Sequence, residues 1–355
     1  MVSNRQKNSP PDESADILPL IKGRRATSYD VARLAGVSQS AVSRCFKDGA
    51  SVSQKMRELV MKAAEELEYQ PNAIARGLIT QRSNLVAVLV SGRLNLYYPE
   101  VLFRLTEELS KVGLRVLLFT LDSEEEAETV IEQAWRFQVD GVISASHLSR
   151  SQFDVLDKRG IPVVFFNRYF ADRPTNVVYC DPTSQADALI EKLVGFGHRD
   201  FGLIQGPGAN MVSQERSRIV REALKRHGIS KIREATGDFT YESGGVALQE
   251  LYGEGVNRPT AIISVNDMMA LGCMDEARAV LELKVPDDLS VAGFDGTGVS
   301  QFASYELTTI RQPIGRMSQA AVNMIAARVE SPDQSNEKRV FEGALIEGGS
   351  IAKAP

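Results

Sequence analysis

Cysteine is scarce and scattered. Cys45, Cys180 and Cys273 form no CxxC pair and are odd in number, which excludes a disulfide framework and fits three inert core thiols. Histidine is as sparse: His147, His198 and His227 stand far apart, leaving no ligand set for a metal site built mainly of His and Cys. No apolar run reaches the roughly 18 residues that a membrane span needs. The opening stretch "MVSNRQKNSPPDESADILPLIKGRR" carries Pro, Asp and Glu where a secretory signal has an apolar block. A cytoplasmic location is therefore expected. Catalytic signatures are missing too. "GPG" at 206–208 lacks the spacing and the following Lys of a phosphate loop. "GHRDFG" at 197–202 overlaps two kinase words and is followed by "LIQG", without the Asn that binds metal in a kinase. With no Ser-His-Asp order and no paired carboxylates, neither an enzyme nor a bound metal or cofactor is expected.

What is present is an ordinary globular balance, 43% apolar and 25% charged, over 355 residues, enough for two or three compact units. The net charge of −5 hides an asymmetry. From Lys22 to Arg82 eleven Lys and Arg stand against six Asp and Glu, whereas beyond Arg82 twenty-eight stand against thirty-seven. A basic head on an acidic body fits a module that meets phosphate and another that stays off it.

The stretch "TSYDVARLAGVSQSAVSRCFKDGASVS", Thr27 to Ser53, reads as the start of three short helices. Thr27 with Asp30 makes a capping box, and Tyr29, Val31, Ala32 and Leu34 give the first helix an apolar face. Gly36 ends it, free to take the left-handed conformation of a tight interhelical turn. Ser38 caps a second helix, Gln39 to Phe46, with Val42 and Phe46 inward; Ser53 caps a third that reaches Leu67. This is the helix-turn-helix plan. Early residues of such a second helix face base edges in the major groove. Gln39, Ser40 and Ala41 are therefore the expected readers, with Ala41 offering a methyl to thymine. Ser43, Arg44, Lys47, Lys55 and Arg57 suit phosphate, and Thr27, Tyr29 and Ser38 join the expected DNA face. A plain three-helix bundle with solvated charges is the rival reading. Pro71 to Leu78 begins as a helix should, but fewer than three turns need a partner to persist.

"SYDVARLAGVSQSAVSRCFKDGASVSQKMRELVMKAAEELEYQPNAIARGL" resembles the DNA-binding head of the lactose-repressor (LacI/GalR) family of bacterial transcription regulators. Ala41 stands where Thr is usual, and Cys45-Phe46-Lys47 replaces the common Val-Leu/Ile-Asn. The resemblance implies a hinge helix that pairs with its symmetry mate in the minor groove, Leu78 wedging between base steps, with Asn72, Ala75 and Arg76 as accompanying DNA contacts.

From Asn84 the texture changes. "LVAVLVS", "LRVLLFT", "VDGVISA", "PVVFFN", "FGLIQGP", "TAIISVND" and "SVAGFDG" are short apolar strands separated by helices or loops. Continuous apolar strands between amphipathic helices mean parallel sheets covered on both faces, and their number calls for two lobes. Ligands in such sheets sit beyond the strand carboxyl ends, where polar residues collect here: Asn167 and Arg168, Asn266, Asp295 and Gln312, with Arg216 early in a helix and Tyr97 and Tyr98 able to stack on a ring. The family resemblance covers these positions through "NR", "ND-x-MALG", "GFD" and "LTTIRQP", while "GFDG" replaces the commoner "GFDD". It assigns Asn266 to the ligand and Asp267 to a helix cap. Asp181 is included among the effector contacts.

The expected fold is thus an α/β body of two doubly wound parallel-sheet lobes, periplasmic-binding-protein-like, behind a small all-α helix-turn-helix domain. The expected boundaries are a tail at 1–26, the head at 27–70, a hinge at 71–82 and an effector-binding and dimerisation domain at 83–350. Its N-lobe takes 83–181 plus 313–330, its C-lobe 182–312 plus 331–350. The expected function is a sequence-specific DNA-binding regulator, in the repressor sense, controlled by a small polar effector such as a sugar. Its expected partners are a pseudo-palindromic DNA operator, the effector and a second copy of the chain, with no membrane. A solute-binding protein of the periplasmic type is the alternative, but it has no use for a basic head.

Overall fold

A computed structural model of the chain describes residues 24–47, 49–71, 82–91, 95–121, 124–253 and 258–355. The chain divides into two compact units, Met1–Ser83 and Asn84–Pro355. The hinge residues Asn72, Ala75, Arg76 and Leu78 lie outside the described residues.

Among the described residues the first unit holds three helices: α1 (Ser28–Ala35), α2 (Gln39–Cys45) and α3 (Gln54–Glu66). Each begins at a side-chain cap. Thr27 and Asp30 form the reciprocal capping box, Ser38 Oγ accepts from Ala41 N, and Ser53 Oγ accepts from Met56 N. These bonds satisfy backbone donors that have no intrahelical partner. Gly36 is left-handed at φ 66° and turns α1 into α2. Val31, Val42 and Val60, one from each helix, meet in the core with no exposure. The second helix stops one residue earlier than its apolar pattern predicts. Phe46 is its C-cap and sets its ring edge-on to Tyr69 at 5.6 Å.

The second unit opens with β1 (Leu85–Ser91), α4 (Tyr97–Lys111), β2 (Arg115–Leu121), α5 (Glu124–Arg136), β3 (Gly141–Ser144), α6 (Arg150–Lys158), β4 (Val163–Phe166) and β5 (Asn176–Asp181). It continues through α7 (Thr183–Gly195), β6 (Phe201–Gln205), α8 (Met211–Arg226), β7 (Ile232–Thr236), α9 (Tyr241–Leu251), β8 (Ala261–Ser264), α10 (Asp267–Ala279), β9 (Ser290–Asp295) and β10 (Thr308–Arg311). Helix α11 (Ile314–Glu330), β11 (Lys338–Glu342) and β12 (Ala344–Ile346) complete it. Two six-stranded sheets result, in the orders β2-β1-β3-β4-β5-β11 and β7-β6-β8-β9-β10-β12. Among the described residues every pairing is parallel except that of β12 with β10.

The apolar run of β1 is explained by burial on both faces. Val86, Val88 and Val90 point into a core shared with α4 and α11; Ala87 and Leu89 point into another, shared with α5 and α6. The C-lobe has its own core around Phe201, Phe294 and Met274. The chain passes between the lobes after β5, after β10 and between β11 and β12. That last passage corrects the expected boundary. The sequence places segment 331–350 wholly in the C-lobe, yet β11 pairs in parallel with β5, from Lys338 opposite Val177 to Glu342 opposite Asp181. An edge strand takes its place from the hydrogen bonds it completes, and a five-residue sequence carries no signal of which distant edge that is.

Candidate functional site

In the head, side chains committed to the fold separate from those left for a partner. Asp30, 2% exposed, accepts both guanidinium nitrogens of Arg24, at 2.8 and 2.9 Å, as well as the hydroxyl and N–H of Thr27. The bond from Arg24 is the largest cause holding this carboxyl well below the usual carboxylate range. Thr27, Tyr29, Ser38, Ser40, Ser43, Arg44 and Lys55 are exposed, and Gln39 is half-buried with its amide 3.3 Å from Ser28 Oγ. Ala41 departs from the sequence reading. It is 3% exposed and its N–H bonds to Ser38, so its methyl faces the fold and is removed from the candidate readers. Arg57, expected on phosphate, donates to the Cys45 carbonyl at 2.9 Å and holds the C-terminus of α2.

In the body, a cleft of about 600 Å³ opens at the carboxyl ends of the strands, where doubly wound sheets place ligands. It gathers Tyr97, Tyr98, Asn167, Arg168, Arg216, Asn266, Asp295 and Gln312. One continuous set of bonds runs through it from lobe to lobe. Tyr97 Oη donates to Gln312 Oε1 at 3.0 Å, and Asn167 Nδ2 donates to the same oxygen at 2.5 Å. Gln312 Nε2 donates to Asp295 Oδ1 at 3.0 Å, to which Arg216 Nη2 also donates at 2.8 Å. Arg216 Nη1 adds the Val265 carbonyl at 2.6 Å. Asn167 and Asp295 hold left-handed backbone, φ 55° and 125°, a conformation that costs free energy and that concentrates at functional positions.

Burial sets the electrostatics. It pushes the Tyr97 hydroxyl well above its usual value, the charge on Asp295 adding to the effect, so the phenol stays a neutral donor. Burial also pushes the Asp295 carboxyl up, while the charge and bond of Arg216 pull it back. The arginine keeps its charge: burial opposes it, and Asp295 more than offsets that.

Two expectations about the cleft change. Asp181 does not line it; its Oδ1 accepts from Thr183 N at 3.0 Å and Thr183 Oγ1 at 2.5 Å, starting α7 where the chain crosses lobes. The helix cap falls to Asn266, not Asp267: Asn266 Oδ1 accepts from Met269 N at 3.0 Å while its Nδ2 donates to the Phe239 carbonyl. Asn95, Asn210, Val212, Phe166 and Phe239 also line the cleft and were missed. Asn210 was findable, because it directly precedes the apolar-periodic start of α8 and caps it. Phe239 has no sequence signal. Asn167, Arg216 and Gln312 further line a second cavity of about 440 Å³, with Tyr169, Tyr179 and Met211. Among the described residues no group of His, Cys, Asp or Glu has the geometry to hold a metal ion, and no helix is long and apolar enough to cross a membrane.

A capped helix-turn-helix and a two-lobed α/β body with a polar cleft define a DNA-binding transcription regulator of the ligand-sensing kind. Residues 27–72 match the description "Bacterial regulatory proteins, lacI family", and residues 190–351 match "Periplasmic binding protein-like domain". The HTH-type transcriptional regulator DegA of Bacillus subtilis is 32% identical over 82% of this chain and 88% of its own length. The HTH-type transcriptional repressor CytR of Escherichia coli is 31% identical over 93% and 97%. Among solved structures, the lac repressor dimer bound to operator and the anti-inducer ONPF is similar with a TM-score of 0.84 and 27% identity, covering 93% of this chain and all of that one. A CelR–cellobiose complex follows at 0.69 and 29%, covering 92% and 100%. The chain belongs to the lacI family of bacterial transcription regulators.

Proposed function

We propose that the protein is a homodimeric repressor whose hold on its operator is switched by a small polar effector, of the sugar or sugar-derivative class, bound in the interlobe cleft. The observation that carries this is the bonded set Tyr97–Asn167–Gln312–Asp295–Arg216, in which groups from both lobes converge on one cavity. A ligand that exchanges its own hydroxyls or charges for these internal bonds changes the free energy of lobe closure, and differential affinity for two states is what shifts an equilibrium. A relative supports the effector class by name, the ribose operon repressor of Haemophilus influenzae. Two-fold symmetry suits a head that reads one half-site. On this reading Tyr29, Gln39, Ser40, Ser43, Arg44 and Lys55 face DNA, segment 71–82 couples body to head, and the protein is not an enzyme.

The test pairs ligand screening with DNA titration. Compounds that raise the melting temperature of the full chain are taken into operator titrations with and without ligand. Asp295→Ala and Asn266→Ala are each expected to abolish the ligand's effect on operator affinity. A response of wild-type size in both variants removes the cleft from the account.

A further inference from the structure

The amides that line the cleft share a constraint. Asn95 Oδ1 accepts from Tyr97 N at 3.0 Å, Asn210 Oδ1 from Val212 N and Ser213 N at 3.0 and 3.2 Å, and Asn266 Oδ1 from Met269 N. Asn167 Oδ1 accepts from Cys180 N at 2.9 Å. A backbone N–H can only donate, so each amide is oriented with its oxygen toward the protein. Gln312 likewise gives its oxygen to Tyr97 and Asn167. The hydrogen-bonding groups left over are therefore mostly donors: the amide nitrogens of Asn95 and Asn210, and the guanidinium of Arg168, which gives one bond to the Asn167 carbonyl at 2.8 Å.

Charge points the same way. Among the described residues the formal charges lining the cleft are Arg168, Arg216 and Asp295. Arg216 and Asp295 pair with each other; Arg168 also acts on Asp295 through its charge but forms no salt bridge with a described carboxylate, so one positive charge is in excess. Asp267 lies beneath the floor with no exposure, and its oxygens accept from Thr309 and Thr297; its charge reaches the cleft only through the protein. Helices α4, α8 and α10 all begin at the cleft, so their positive dipole ends add to the field.

Building on the cleft being the effector site, we propose that the effector is an anion, a small polyhydroxylated molecule carrying a carboxylate or phosphate group that Arg168 receives. The aromatic walls, Tyr97, Tyr98, Phe166 and Phe239, take the carbon skeleton, as rings do for sugar faces and other flat groups. A neutral sugar meets surplus donors with hydroxyls that must themselves donate, and among the described side chains the leftover acceptors are few, chiefly Asp295 Oδ2 and the Tyr98 hydroxyl. An anion offers acceptors alone, and charge-assisted bonds to a guanidinium are the strong ones.

Two measurements on the full chain test this. Inorganic phosphate at millimolar concentration, at constant ionic strength, is expected to raise the melting temperature of the wild type by about 2 °C or more, as binding to the folded state does, and to lose that effect in Arg168→Gln. Calorimetric titration with matched sets (glucose, gluconate and glucose 6-phosphate; ribose and ribose 5-phosphate) is expected to show the anionic member at least tenfold tighter. Arg168→Gln is expected to close that gap. A neutral member as tight as its anion, a preference that survives Arg168→Gln, or phosphate stabilisation equal in both proteins overturns the proposal. Val212→Trp, which fills the cleft, separates the two readings. If it leaves binding of both members intact, the site is elsewhere; if it abolishes both, the cleft stands and the charge preference is judged on its own.

Discussion

Behind Asp295 a second carboxylate, Asp267, is enclosed on every side. Thr309 Oγ1 donates to Oδ1 at 2.5 Å, and Thr297 supplies its N–H and hydroxyl to Oδ2 at 2.8 and 3.1 Å. Gly293 leaves room for it: a Cβ there would stand 2.6 Å from Oδ1. Burial, then the charge on Asp295, pushes this carboxyl up to about 7. The folded state therefore binds the proton more tightly than the unfolded chain, where a carboxyl of this type titrates near 3.9. The contribution to stability is complete below about pH 4 and is lost as the pH rises through about 7. The melting temperature of the wild type should accordingly fall more between pH 5 and pH 8 than that of Asp267→Asn, followed by calorimetry; parallel curves would contradict the assignment. Position 267 also marks where reading residues one by one ran out. In "VND" either side chain could cap α10, and the choice rests on backbone angles, φ −149° and ψ 162° at Asn266, which place Asn266 outside the helix and Asp267 within it. Ala41 failed for a similar reason. The sequence marks it as an early residue of α2, but which face of so short a helix turns inward depends on how α1 and α3 pack against it.

At the scale of elements, local chemistry was legible and distant pairing was not. The three caps Thr27, Ser38 and Ser53 and the left-handed Gly36 all act within four residues of their targets, so the three helices of the head are legible nearly to their ends. The apolar strands of the body were equally plain, because burial on both faces leaves no alternation to misread. Strand β11 was not, since its partner β5 lies more than 150 residues away. The packing of α9 on α10 was likewise hidden. Gly244 and Gly272 face each other's helices so closely that added Cβ atoms would stand 2.0 Å from the Met269 carbonyl and 1.8 Å from that of Tyr241. Gly272→Ala should cost about 2 kcal/mol or more by overpacking, read from urea unfolding of the full chain, despite the gain in helix propensity that alanine brings. A variant as stable as the wild type would show that these helices separate freely. For the hinge, Leu78→Ala should weaken operator binding while ligand binding persists, and equal operator affinity would remove the wedge expected from the sequence.

For the whole molecule, the charge asymmetry carries the functional logic: a head rich in Lys and Arg, and a body with an acidic excess. Phosphate contacts from the head should make duplex affinity fall steeply with salt, whereas the anion expected in the cleft is gripped by donors in the body. What composition could not convey is how the two lobes are tied together, because that depends on bonds such as Asn167 to Gln312, which join segments 145 residues apart. The most direct test of the account is a titration of the full chain with a duplex selected from a random pool, repeated in the presence of whichever ligand stabilises the body. The account predicts tight, salt-sensitive duplex binding whose dissociation constant the ligand shifts by about fivefold or more. Duplex affinity that the ligand leaves unchanged, or a chain that binds no duplex at low ionic strength, would contradict it.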